Sequence, residues 1–142
     1  MLTGGPAFRA TNSAQQNITT STWTKISLQT ETFDTNANFD NTTNYRFQPT
    51  VAGYYQIQGN IIFTSGTASI TFASAQIYKN GSGLNDGTYA GVALTGSISA
   101  QAIDLVYLNG STDYIELYGF VIGTSPYVAA GNGLFSATLM RS

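Results

Sequence analysis

"FDTNANFDNTTNYRFQPTVAGYY", residues 33–55, carries two Phe-Asp pairs in a run of Asn and Thr and closes on Pro, Gly and two tyrosines. Its acidic and amide residues suggest a metal loop, whereas its ending suggests a strand entering a sheet. Asp34, Asn36, Asn38 and Asp40 fall on the first, third, fifth and seventh positions of a would-be calcium loop. Such a loop needs glycine at the sixth position for its sharp turn and a bidentate glutamate at the twelfth. Those positions hold Phe39 and Tyr45, so no metal ligands are assigned. Asx-turns account for the same residues. The one calcium arrangement left open is a subunit-shared site built from converging oxygens.

The rest of the chain sets the limits within which this stretch is read. Its 142 residues fit one domain, with a core from about residue 6 to the end. Charged residues make up 8%, about a third of the usual globular share. Nine Tyr, eight Phe and one Trp argue against disorder despite the abundance of Ser, Thr and Asn. Net charge is −2, and Arg9, Lys25, Arg46, Lys79 and Arg141 are scattered, which leaves no electrostatic footprint for nucleic acid or an anionic membrane. With no cysteine there is neither disulfide nor thiolate metal site, and with no histidine the commonest acid–base group is missing. The segment after Met1 has no signal-peptide pattern.

No stretch has a helical period. Strand-like segments recur between clusters of Gly, Asn and Ser, the signature of an all-β chain. They are 6–12, 22–28, 53–63, 69–83 with a turn at Asn80-Gly81, 92–110 (one long strand and part of a second), 113–123 and 133–142. In 53–63, Tyr55, Ile57, Ile61 and Phe63 share one face and Gln56, Gln58 and Asn60 the other. Proline occurs only at 6, 49 and 126, outside the central candidates. The expected architecture is an antiparallel sandwich of about ten strands. Residues 114–122 are apolar on both faces, with Tyr114, Tyr118 and Phe120 on one and Ile115, Leu117 and Val121 on the other. A strand of that kind is covered twice, which points to a partner subunit on its outer side.

Catalysis is not expected. Five Asp and two Glu permit carboxylate pairs on paper, but nothing in their spacing fixes two together. No nucleophile elbow and no phosphate-cradling glycine motif is present. Sequons at Asn17, Asn41, Asn80 and Asn109 carry little information in so Asn-, Ser- and Thr-rich a chain, and two of them lie in Asn-Gly turns.

The ending of the opening stretch, "FQPTVAGYYQI", places Phe47, Gly53 and Tyr55 as a loop entering a buried strand. This resembles the signature of C1q-like globular domains, the trimeric jelly rolls related to tumour necrosis factor, with Asp34 and Phe39 matching the elements that precede it. "PAFRA" is similar to the family's first strand, "YKNG" to its central hairpin, "VYLNGSTDYIELYGF" to its late apolar strand and "GLFSATLMRS" to its closing strand. The pattern departs at Leu28 and Ile57, where the family has Phe. The resemblance implies an all-β, homotrimeric C1q/TNF-like jelly roll. It further implies that 6–12, 53–63, 113–123 and 133–142 form an inner sheet lining a three-fold axis, with Tyr55, Ile57, Tyr114, Tyr118, Phe120 and Phe135 at the trimer interface. Phe33, Phe39 and Phe47 would plug the crossover loop onto the sandwich.

The low charge, the missing cysteine and the Thr/Asn-rich phrasing resemble the C1q-like domains of tailed bacteriophage virion proteins. What that implies is a non-catalytic trimeric knob on the virion surface, extracellular when released, partnered by itself and by capsid or tail proteins. Without a shaft or Gly-x-y segment, the expectation is a capsid decoration or cement protein. The alternative is the receptor-binding head of a tail fibre or spike. There Asn85, Tyr89, Tyr127 and Asn132, in the longer loops, would stack on and hydrogen-bond a host-surface glycan.

Overall fold

A computed structural model describes residues 4–66, 69–86 and 96–142. Twelve strands occur among them: β1 (Ala7–Thr11), β2 (Gln16–Asn17), β3 (Thr24–Lys25), β4 (Thr30–Asp34), β5 (Phe39–Asp40), β6 (Arg46–Phe47), β7 (Gly53–Ser65), β8 (Ile70–Lys79), β9 (Ser82–Asp86), β10 (Gly96–Leu108), β11 (Ile115–Gly123) and β12 (Tyr127–Arg141). They form two antiparallel sheets. Sheet A runs β10-β7-β12-β1-β4 with β2 on β12, and sheet B runs β5-β6-β11-β8-β9 with β3 on β11. The chain crosses between sheets after β2, β3, β4, β6, β7, β9, β10 and β11, as in a double-sheet jelly roll.

The strands form where alternation supplies one buried face. Along β7 the residues at 53, 55, 57, 59, 61, 63 and 65 are buried and those between them are not. The core between the sheets centres on Phe8. Its ring stacks on Phe39 at 4.7 Å and on Phe47 at 4.5 Å, and meets Phe135 edge-on at 5.3 Å. Two glycines let large residues from the opposite sheet fill the space they vacate. A Cβ at Gly59 would collide with Leu117, and one at Gly119 would come within 2.6 Å of Phe63. Asn80 and Gly81 both take positive φ, 52° and 81°, the geometry of a tight hairpin between β8 and β9.

The opening stretch is explained by the same packing. Tyr55 is fully buried and its hydroxyl donates to the Val51 carbonyl at 2.7 Å, which ties the loop entering β7 to the strand itself. Burial pushes the Tyr55 hydroxyl up to about 12. A side chain at Gly53 would run into the carbonyl oxygen of Arg141, so the end of β12 can lie there only against glycine. Asp34 accepts from the backbone N–H of Phe39 and of Asn36, and Asp40 from those of Thr42, Thr43 and Asn44. These are Asx-turns, and they occupy the carboxylates.

Four expectations are corrected. Residues 113–123 do not join the sheet of 6–12, 53–63 and 133–142. They contribute β11 to sheet B, because the chain crosses the sandwich end after β10. There Asp113 accepts from Asn80 Nδ2 at 2.8 Å and pairs with Lys79 at 3.0 Å, while the Tyr114 N–H donates to Asn80 Oδ1, docking the crossover on the end of β8. Phe33 is no plug: it is 47% exposed on the outer side of β4, whereas Phe39 and Phe47 do enter the core. Residues 22–28 give only the two-residue β3, although Ile26 and Leu28 are buried. Finally, β4 has no counterpart among the expected segments; the expected sandwich of about ten strands is there, with twelve strands of which four are two-residue bridges.

Candidate functional site

The outward face of sheet A gathers most of the large exposed apolar side chains among the described residues. On β10 the inward residues are Ile98, Ala100, Ala102, Val106 and Leu108, all buried. Its outward residues from 103 on are Ile103, Leu105 and Tyr107. On β7, Tyr107 lies opposite Tyr54, Leu105 opposite Gln56 and Ile103 opposite Gln58. On β12, Ser136 stands beside Gln58 and Thr138 beside Gln56, and Met140 continues that side. Tyr54, Ile103, Leu105, Tyr107 and Met140 are each between 47% and 63% exposed.

These five side chains adjoin one another across three strands. The Tyr54 and Tyr107 rings meet edge-on at 5.4 Å, and Tyr54, Leu105, Met140 and Arg141 line a shallow depression of about 360 Å³. A second depression of about 310 Å³ on the same face is lined by residues including Phe33, Arg9, Gln56, Gln58 and Ser136. Single exposed apolar residues are ordinary, but a contiguous patch on the order of several hundred Å² marks an interaction surface. The flanking Gln56, Gln58, Ser136 and Thr138 supply a polar border, and the Arg9 guanidinium is held by Thr32 Oγ1 at 2.7 Å. Apolar centre and polar rim together are the anatomy of a protein–protein contact.

The residues expected at the trimer interface are not part of this patch. Tyr55, Ile57 and Phe135 are fully buried inside the chain's own core. A side chain with no exposed area in one chain has none left to bury against a second. Tyr114, Tyr118 and Phe120 are half-buried on the outer face of sheet B, away from the sheet A patch. Of the residues expected in ligand-binding loops, Tyr127 instead opens β12 and pairs with Asn17 and Thr64. Asn132 sits at an irregularity of β12 between Val128 and Gly133, which the buried Asn12 braces through Ala129 O and the Gly133 N–H. Asn85 belongs to β9, and Tyr89 lies outside the described residues. Asn85, on sheet B, and Tyr127 and Asn132, on sheet A, do not share one loop.

The sequence did contain the signal for Tyr107, Leu105 and Ile103. "AIDLVYL", 102–108, is apolar on both alternating faces apart from Asp104, the same property that singles out 114–122. For Tyr54 and Met140 no local signal exists, since each is a lone apolar residue that matters only beside β10.

No protein-family model and no curated protein matches the sequence. Solved structures do. Murine APRIL superposes with a TM-score of 0.62 at 8% identity, over 95% of this chain and 98% of that one. Eiger TNF from S. frugiperda does so at 0.65 and 7%, over 95% and 90%. At such identities the likeness is one of fold, and the fold is the TNF-like jelly-roll sandwich.

Proposed function

We propose that this protein is a non-catalytic virion structural protein of a tailed bacteriophage, a homotrimeric knob that decorates or cements the capsid surface. The observation that carries the reading is the apolar patch of Tyr54, Ile103, Leu105, Tyr107 and Met140 on sheet A. A second and third copy packing there would bury it, as the sequence's resemblance to trimeric jelly rolls implies. A non-catalytic role is supported by the carboxylates: Asp34 and Asp40 serve backbone N–H groups, while Asp113 and Glu116 are paired with Lys79 and Lys25. The virion setting rests on the sequence's resemblance to phage C1q-like domains. A second reading, the receptor-binding head of a tail fibre or spike, is favoured by the aromatic outer face of sheet B, which a sheet A contact leaves open.

Two measurements test these readings. Sedimentation of the purified protein should give three times the chain mass, and a monomer at micromolar concentration would refute the trimer. The copy number relative to the major capsid protein in purified particles then separates the roles. A ratio commensurate with the capsid lattice supports decoration, a few trimers per particle supports a tail-borne receptor binder, and absence from particles removes both.

A further inference from the structure

The outer face of sheet B is a grid of side chains whose chemistry is mixed in an unusual way. Residues directly opposite in antiparallel strands share a face, so the register of β11 with β8, β6 and β3 sets out its rows. Glu116 stands between Arg46 and Tyr78, Tyr118 between Lys25 and Gln76, and Phe120 opposite Ser74, with Ile122 opposite Phe72. The Trp23 ring adjoins both Phe120, at 5.3 Å, and Tyr78, at 6.3 Å. Tyr78 stacks on Tyr118 at 3.7 Å, Phe72 meets Phe120 edge-on at 5.8 Å, and the Arg46 guanidinium lies 4.4 Å above the Tyr114 ring. From Glu116 to Ile122 the platform spans about 20 Å.

Two polar groups are set into this aromatic surface. Glu116 is only 5% exposed, although it lies on the outer face, and its carboxylate holds Lys25 Nζ at 2.8 Å. Ser74 is 2% exposed and its hydroxyl has no hydrogen-bond partner. An unpaired buried hydroxyl is destabilising, because its desolvation is not repaid by a hydrogen bond. A purely apolar protein contact would leave that hydroxyl unpaired and take the Glu116–Lys25 pair further from water.

We infer that this face is a binding platform for a neutral saccharide chain, an assignment that rests on the receptor-binding reading above. A pyranose presents C–H faces that lie against aromatic rings and hydroxyls that both donate and accept. Trp23, Phe120, Tyr118 and Tyr78 offer the rings, already braced against one another, so little side-chain freedom is lost on binding. Glu116 accepts from sugar hydroxyls and Lys25 donates to them. Ser74, opposite Phe120, holds a hydroxyl without a partner that a sugar hydroxyl would satisfy. The charges on the face nearly balance, which favours an uncharged ligand over a polyanion.

Trp23 is the only tryptophan, so its fluorescence reports on this face alone. The probe is a panel of neutral bacterial-type oligosaccharides, first on an array and then in solution by fluorescence and calorimetry, with the trimeric protein. At least one should give a saturable change in Trp23 emission. Phe120→Ala should weaken that binding about tenfold, and Glu116→Gln should weaken it as well. Ser74→Ala is the decisive variant: it removes an unpaired hydroxyl, so stability should hold or rise while affinity falls. Saccharide binding that none of these variants alters would keep the receptor-binding reading and overturn the platform. No binding to any probe would overturn the platform too, leaving particle copy number to judge the wider reading.

Discussion

Tyr54 and Tyr107 sit directly opposite one another on β7 and β10, ring edge to ring face at 5.4 Å, and both are about half exposed on the side of sheet A that faces away from the core. Two aromatic rings that support each other and still present half their surface to water form the centre of the proposed trimer contact. Leu105→Lys, one row away, places a charge in that centre without touching the core. The expected outcome is a monomer by sedimentation with an unchanged far-ultraviolet circular dichroism spectrum, and Tyr107→Ala should weaken assembly by about 2 kcal/mol or more. By contrast, Tyr118→Ala should leave the trimer intact, since Tyr118 lies on the other sheet.

Phe8 holds the core together by contacting three rings contributed by three different strands. Phe8→Ala should cost about 3–5 kcal/mol, read as a lower urea midpoint at unchanged slope. Because Phe39 and Phe47 close the crossover loop over Phe8, the same variant should also speed amide exchange at residues 39–47.

Acid should destabilise the protein through two carboxylates. The Thr43 and Thr42 N–H groups, with help from Asn44, hold the Asp40 carboxyl well below the usual carboxylate range, and Asn80 followed by Lys79 lowers that of Asp113. Since their folded values lie below the unfolded ones, the stability they contribute is complete above about pH 4 and is lost as pH falls through the folded values. The urea midpoint should therefore be flat from neutral pH to about 5 and decline below about 4. Asp40→Asn should flatten that decline and lower the plateau.

At the alkaline end the sign is the same in effect but different in origin. Burial raises the Tyr55 hydroxyl to about 12, so above about pH 10 the unfolded chain releases a proton that the folded one keeps. Stability should fall from about pH 10 upward, and Tyr55→Phe should reduce that fall, leaving the part due to Tyr118, whose hydroxyl burial also raises. The variant also loses the bond to Val51, at a cost of about 1 kcal/mol measured at neutral pH.

How far the sequence led can be judged strand by strand. Tyr55, Ile57, Ile61 and Phe63 were legible as one buried face because alternation is a local property. Asn80-Gly81 was legible as a turn because few dipeptides accept two positive φ values in succession. The spacing of Gly53 and Tyr55 after Phe47 carried the fold, and the geometry explains why: Gly53 makes room for the end of β12 and Tyr55 ties down its own loop. The candidate site was harder. Doubly apolar 114–122 was recognised and doubly apolar 102–108 was not, yet it is the second that leaves Ile103, Leu105 and Tyr107 about half exposed side by side.

The sequence by itself determined that the chain is all-β, which residues of β7 share a buried face, and where the turn at Asn80-Gly81 falls. Only the tertiary structure decided that β11 belongs to sheet B and β10 to the edge of sheet A. It alone brought Tyr54 and Met140 beside Leu105. A period of two looks the same in either sheet of a sandwich. Which face then stays open to water is set by crossovers between strands far apart in the chain, such as the docking of Asp113 on Asn80 and Lys79, and no local pattern encodes those contacts.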